Sequence, residues 1–110
     1  MRPISKRMLP HNCTYEAYLG DTGEGVSFSS PISLNNVKIE ERSQFNYTSN
    51  GRELVGNAIL FYDCFNSSGL TEAPIPESKI IFNNKTYTVV DVDVLYANSN
   101  QPHHYEVLLK

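Results

Sequence analysis

Asp91 and Asp93 are the first residues in this chain that could do chemistry. They stand in the run Val89-Val90-Asp91-Val92-Asp93-Val94. On an extended chain their carboxylates project from one face, roughly 7 Å apart. Such a pair could hold Mg²⁺ or serve acid–base chemistry. No third acid or partnering base accompanies them, and alternation with valine also reads as the wet face of a strand. His103 and His104 are adjacent, and neighbours on a strand point to opposite faces, so they do not easily share a metal. Cys13 and Cys64 lie in no metal-like spacing and read as two buried free thiols. Ser67-Ser68-Gly69 lacks the flanking pattern of a nucleophile elbow, and Gly23-Glu24-Gly25 is a turn rather than a phosphate cradle. The sequence thus nominates no catalytic residue, no cofactor and no metal site, and the chain reads as a non-enzyme.

Size and charge narrow the class. A chain of 110 residues is one domain, long enough to bury a core without a metal or a disulfide. With 40% hydrophobic and 19% charged residues it has the balance of a folded domain rather than a disordered one. The formal net charge is −3, yet the first ten residues carry Arg2, Lys6 and Arg7 and no acid, so the body is more acidic than the total suggests. An acidic body repels phosphate backbones, which disfavours nucleic-acid binding. The start lacks the apolar stretch of a signal peptide, and no run is long enough to span a membrane. The chain is expected to be made in the cytoplasm.

The elements that must position these residues are strands. Lys79 to Phe82 and Thr86 to Tyr96 flank Asn83-Asn84, and asparagine tolerates the positive φ of a tight hairpin turn. The second arm would span about 36 Å if straight, so it is expected to bend and change its buried face. Cys13 to Leu19 alternates, as does Val37 to Glu41. Ala58 to Phe65 is short and nearly continuously apolar, which suggests a strand buried on both faces. A helical stripe through Leu54, Ala58, Phe61 and Tyr62 competes, but Gly56 and Asn57 oppose it. The predicted fold is an all-β, single-domain barrel over 1–110. Its strands lie near 12–19, 25–30, 34–41, 57–65, 79–83 and 86–96, with 103–109 a seventh. The predicted core includes Tyr15, Ala17, Val37, Ile39, Leu60, Val90, Val92, Tyr105 and Val107. Residues 20–25 and 66–78 read as a turn and a loop. Two stretches lack pattern. Residues 1–11, with Pro3 and Pro10, read as an extended basic arm. Residues 42–57 are rich in Ser, Asn, Gln and Thr and read as a long mobile loop.

Several segments together resemble a family of phage and prophage minor capsid proteins of Gram-positive bacteria. The opening Arg2-Pro3-Ile4-Ser5-Lys6-Arg7-Met8-Leu9-Pro10-His11 is similar to that family's start, with Ser5 where a second proline is common. Ser49-Asn50-Gly51 followed by Asn57-Ala58-Ile59-Leu60-Phe61-Tyr62-Asp63 is similar to its central block. Lys79 to Val94 resembles its strand pair, and His103-His104-Tyr105-Glu106-Val107 its closing block. Residues 66–78 match least.

The resemblance implies a virion structural protein with no catalytic residues. By fold analogy it implies a head–tail connector component. That component would form a homo-oligomeric ring at the portal vertex, contact portal or adaptor and tail-completion proteins, and retain DNA. The isolated chain could still be a monomer. A monomeric SH3-like protein-binding adaptor is the alternative. A ring subunit needs elements that meet its neighbours. The unpatterned segments supply the candidates: Arg2, Lys6 and Arg7 in the arm, and Ser43, Gln44, Asn50, Gly51 and Arg52 in the long loop.

Overall fold

The computed structural model describes residues 2–21 and 23–110; Met1 of the arm and Thr22 of the 20–25 turn lie outside the described residues. The chain is all-β. Its strands are β1 (His11–Glu16), β2 (Tyr18–Asp21), β3 (Val26–Phe28), β4 (Ile32–Thr48), β5 (Gly51–Asp63), β6 (Lys79–Phe82), β7 (Lys85–Tyr96) and β8 (Pro102–Leu109). Six of them close on themselves in the order β1-β4-β5-β8-β7-β6, and β2 and β3 form a separate hairpin. Every pairing is antiparallel. Among the described residues each of these six strands is paired on both sides along part of its length.

The alternation that identifies the strands also fills the interior. Cys13 and Tyr15 of β1, Ile39 of β4, Ala58, Leu60 and Tyr62 of β5, Ile80 and Phe82 of β6, and Tyr105, Val107 and Leu109 of β8 all point inward. Leu34 and Val37 are both buried although three residues apart, because Asn36 takes a φ of 55° between them and rephases the strand. The Asn83-Asn84 turn has φ values of 50° and 63°, the pair of positive values that a two-residue hairpin requires.

β7 changes its buried face as its length suggested. Tyr87 and Val89 are buried, the register with β8 then slips between Val89 and Asp91, and Val92 and Val94 pack against the core beyond the slip. Val90 is the residue at the bulge and is 39% exposed, so it does not belong to the predicted core. Ala17 and Val92 are only partly buried at its margin.

Three further expectations are corrected. Residues 42–57 are not a loop: β4 and β5 run through them and pair from Val37↔Tyr62 out to Thr48↔Gly51. The 12–19 strand is broken at Ala17 into β1 and β2. The apolar run from Ala58 ends as a strand at Asp63, so Cys64 is exposed in the turn that follows while Cys13 is buried.

Residues 66–78 form no strand and lie across one end of the closed sheet, where Leu70 and Ala73 pack on the core. The Leu70 amide donates to the Tyr62 hydroxyl and the Ile75 amide to the Tyr15 hydroxyl. Gly69, at φ 121°, lies against the Ser33 carbonyl and 3.2 Å from the Leu34 Cα measured from where a Cβ would stand, so only glycine fits there.

Candidate interaction surfaces

The paired carboxylates come first. Asp91 and Asp93 do share one outer face, and both are exposed. The Asp91 Oδ1 accepts from the Val92 amide, and Asp93 lies opposite Glu106 on β8. With Gln44, Phe45, Val55, Ile59 and Leu108 these acids line a groove of about 240 Å³ under the β4–β5 hairpin. Among the described residues no group of three or more His, Cys, Asp and Glu side chains has the arrangement of a metal site. Burial pushes the Cys13 thiol up to about 12, which removes it as a nucleophile at ordinary pH. The Cys64 thiol is also raised, chiefly by burial.

The histidine pair departs from expectation. The β7–β8 register slips between Leu95 and Tyr96, whose partners are His104 and Pro102, so His103 is the extra residue of a bulge. A bulge re-aims one side chain, and the two rings meet instead of diverging, with Nδ1 atoms 2.8 Å apart.

Of the nominated interaction residues, Arg2, Lys6 and Arg7 lie in an arm that is fastened to the body rather than extended. Ser5 caps one 3-10 turn over Lys6–Met8. Leu9 is buried, and Ile4, Met8 and Leu9 flank a small hollow beside Lys38 and Phe61 on the outside of β4 and β5. Asp63 does most of the fastening. Its side chain is fully buried. Its Oδ1 accepts from the Ile4 amide at 2.9 Å, and its Oδ2 accepts from the Phe65 and Asn66 amides at 3.1 and 2.7 Å. The Asn66 side-chain amide returns a 2.7 Å bond to the Ile4 carbonyl. Charged acceptors taking several backbone amides are strong restraints. The three basic side chains remain exposed on this fixed arm.

Sequence reading passed over Asp63. The signal was an acid at the end of an apolar strand followed closely by Asn66-Ser67, the composition of a side-chain-capped turn.

Ser43, Gln44, Asn50, Gly51 and Arg52 lie on the β4–β5 hairpin. Ser49 and Asn50 make its turn, and Gly51 supplies a φ of 117°. The Thr48 hydroxyl accepts from the Asn50 amide and donates to the Gly51 carbonyl. Arg52 stacks over the Phe45 ring at 4.4 Å. β1 pairs with β4 only as far as Val37, and β8 pairs with β5 only from Ala58 onward. The outer half of the hairpin therefore runs past the ladders of β1 and β8, with Gln44, Phe45 and Val55 on the groove and Tyr47 77% exposed. Arm and hairpin are not brought together: the arm is tied to the Asp63 end of β5 and the turn sits before its Gly51 end.

Among the described residues no helix is long and apolar enough to cross a membrane. Neither the curated proteins nor the solved structures contain a match to this chain. The family model described as Minor capsid protein matches residues 5–109, and an all-β body with arm and hairpin on its outside suits a part built to assemble: the chain belongs to the minor capsid protein family, a class of virion structural proteins.

Proposed function

We propose that this minor capsid protein is a head–tail connector component, one of several copies forming a ring at the portal vertex that joins head to tail and retains DNA. The observation that supports this is the outer half of the β4–β5 hairpin. Past Glu41 on β4 and before Ala58 on β5 the two strands form ladder pairs with each other alone, and Lys110 Nζ reaches the Leu54 carbonyl at 3.5 Å. Apart from that carbonyl, both outer edges lack a ladder partner among the described residues, the ordinary template for adding a strand from another chain. A head-to-tail contact of this kind, repeated, closes a ring. The fastened arm, with Arg2, Lys6 and Arg7 outward, offers a cationic surface near the far end of β5, suited to an acidic portal, adaptor or tail-completion protein. The function asks for no catalysis, and the role proposed is mechanical.

A register-preserving truncation tests the proposal. Gln44 pairs with Gly56, so removing Phe45–Val55 and joining Gln44 to Gly56 through Asn-Gly keeps the pairing of the sheet intact. The variant is expected to fold and to melt like the parent. Phage carrying it should package DNA but yield heads that leak or lack tails. Normal plaque counts would defeat the proposal, and unaltered virions lacking the protein altogether would favour the monomeric SH3-like adaptor instead.

A further inference from the structure

The two histidines at the start of β8 hold a proton count that does not balance. The His103 and His104 rings stand edge to face with centroids 5.0 Å apart. Their Nδ1 atoms are 2.8 Å apart. The remaining nitrogen of each ring faces an acceptor: His103 Nε2 lies 2.7 Å from the Arg2 carbonyl oxygen, and His104 Nε2 lies 3.2 Å from Glu106 Oε2. A chain of three hydrogen bonds that ends on an acceptor at both sides needs three protons. Two neutral imidazoles bring one each, and an ionised carboxylate brings none. One contact must then set lone pair against lone pair unless one more proton is bound, on a ring or on the carboxylate.

We propose that this chain is a pH-sensitive clasp on the N-terminal arm, closed when the third proton is bound and loosened when it leaves. With that proton the bonds run in one direction each. His104 Nε2–H donates to Glu106, His104 Nδ1–H donates to His103 Nδ1, and His103 Nε2–H donates to the Arg2 carbonyl. Without it one of the three is lost. His103, His104 and Glu106 all belong to β8, which is paired on both sides by β5 and β7. Of the groups in this hydrogen-bond chain the Arg2 carbonyl alone lies outside β8, close in sequence to the Asp63 and Asn66 bonds that hold Ile4, so the loss is read as loosening at the start of the arm.

Other charged or titratable groups face the clasp from each packed element. Arg2 lies on the arm. Asp63 is the β5 partner of His104, and its carboxylate is already committed to amides. The Cys64 amide donates to the His103 carbonyl. On β7, Asp93 is the partner of Glu106 and Tyr96 the partner of Pro102. The closed form binds the extra proton, so docking strengthens as pH falls and weakens as it rises.

The test is an NMR titration of the full chain from pH 5.5 to 8.5. Imidazole nitrogen shifts report each ring's protonation, and the Ile4 δ1-methyl reports arm docking. The population of undocked arm should rise by roughly five-fold across the range, the weight of one hydrogen bond. Glu106→Gln is the decisive variant, because its amide donates to His104 Nε2 and supplies the missing proton. In E106Q the arm should stay docked and insensitive to pH, an outcome a merely structural role would not give. A flat Ile4 signal in the parent chain, two neutral rings with a docked arm at pH 5.5, or an E106Q profile like the parent's would each overturn the clasp. The parent titration stands without any variant, so a misfolded E106Q does not rescue the idea.

Discussion

The β4–β5 hairpin lives in two environments, and the contrast between its halves explains most of this molecule. In the root half, Val37–Glu41 pairs with Ala58–Tyr62 inside the closed sheet, and every second residue of β5 is buried there. In the outer half, Phe45–Thr48 pairs with Gly51–Leu54, and neither strand has a second ladder partner among the described residues. Both halves are antiparallel ladders, separated by register slips between Glu41 and Phe45. What differs is what the side chains leave behind in water. The root half gains from apolar burial, whereas an isolated two-stranded ribbon is marginal in water without a partner. One continuous hairpin is therefore wall at one end and an exposed ribbon at the other.

The sharpest way to break the comparison is to truncate leucine in each half. Leu60 is fully buried in the root half, and Leu54 is 37% exposed in the outer half. Leu60→Ala removes buried methyl groups and leaves a cavity in the closed core, an expected cost of about 2–5 kcal/mol. Leu54→Ala should stay within about 0.5 kcal/mol, as for a surface change. Urea unfolding of the two variants measures both. Equal losses would mean that the outer half is part of the cooperative core and not a projection from it.

Gly56 marks the boundary between the halves. It is buried where the hairpin leaves the closed sheet, and a Cβ there would stand 2.9 Å from Leu108 Cγ and 3.1 Å from the Leu109 carbonyl oxygen. Its φ is not positive, so the need for glycine comes from close approach and not from backbone conformation. Gly56→Ala should cost about 1–3 kcal/mol through overpacking. Much of the cost should vanish beside Leu108→Ala, which clears the space. A double-mutant cycle in urea with a coupling of about 1 kcal/mol or more is the expected outcome. Additive losses would place the strain on the Leu109 backbone instead.

The same contrast explains what sequence reading could and could not find. The root strands were legible because burial on one face writes a period-two pattern, as in Tyr105, Val107 and Leu109. The outer half buries little, with Gln44 and Phe45 only half-covered and Ser43, Asn46 and Glu53 exposed, so it carries no such pattern and the stretch reads as loop. Its strand character was visible only in Asn50-Gly51, a short-range hairpin signal that a flanking apolar alternation normally confirms. The arm misled for a related reason. Its fastening depends on Asp63 and Asn66, residues far away in sequence, and no local pattern announces such a contact. A lack of core pattern is itself a record of exposure: Arg2, Lys6, Arg7, Ser43, Asn50, Gly51 and Arg52 are exposed, while Gln44 is half-buried on the groove. The histidine pair was misjudged because a bulge moves side chains between faces and leaves no trace in composition.

The smallest expected effect lies at the turn. Arg52 covers the Phe45 ring at 4.4 Å, an exposed cation–π contact worth about 0.5–1 kcal/mol. It ties the first residues of β5 to the last of β4 where little else does. Arg52→Ala should leave the urea midpoint unchanged, since the closed sheet does not depend on it. It should instead speed amide exchange locally at the paired positions Phe45↔Leu54 and Tyr47↔Arg52, while amides at Leu60 and Val107 keep their rates. Local fraying is measured by hydrogen exchange even when global unfolding is not altered. Arg52→Lys should fall between, because an ammonium lacks the flat face that stacks on the ring. A shift in global stability with Arg52→Ala would show the outer half transmitting to the core, and the division of the hairpin at Gly56 would then have to be given up.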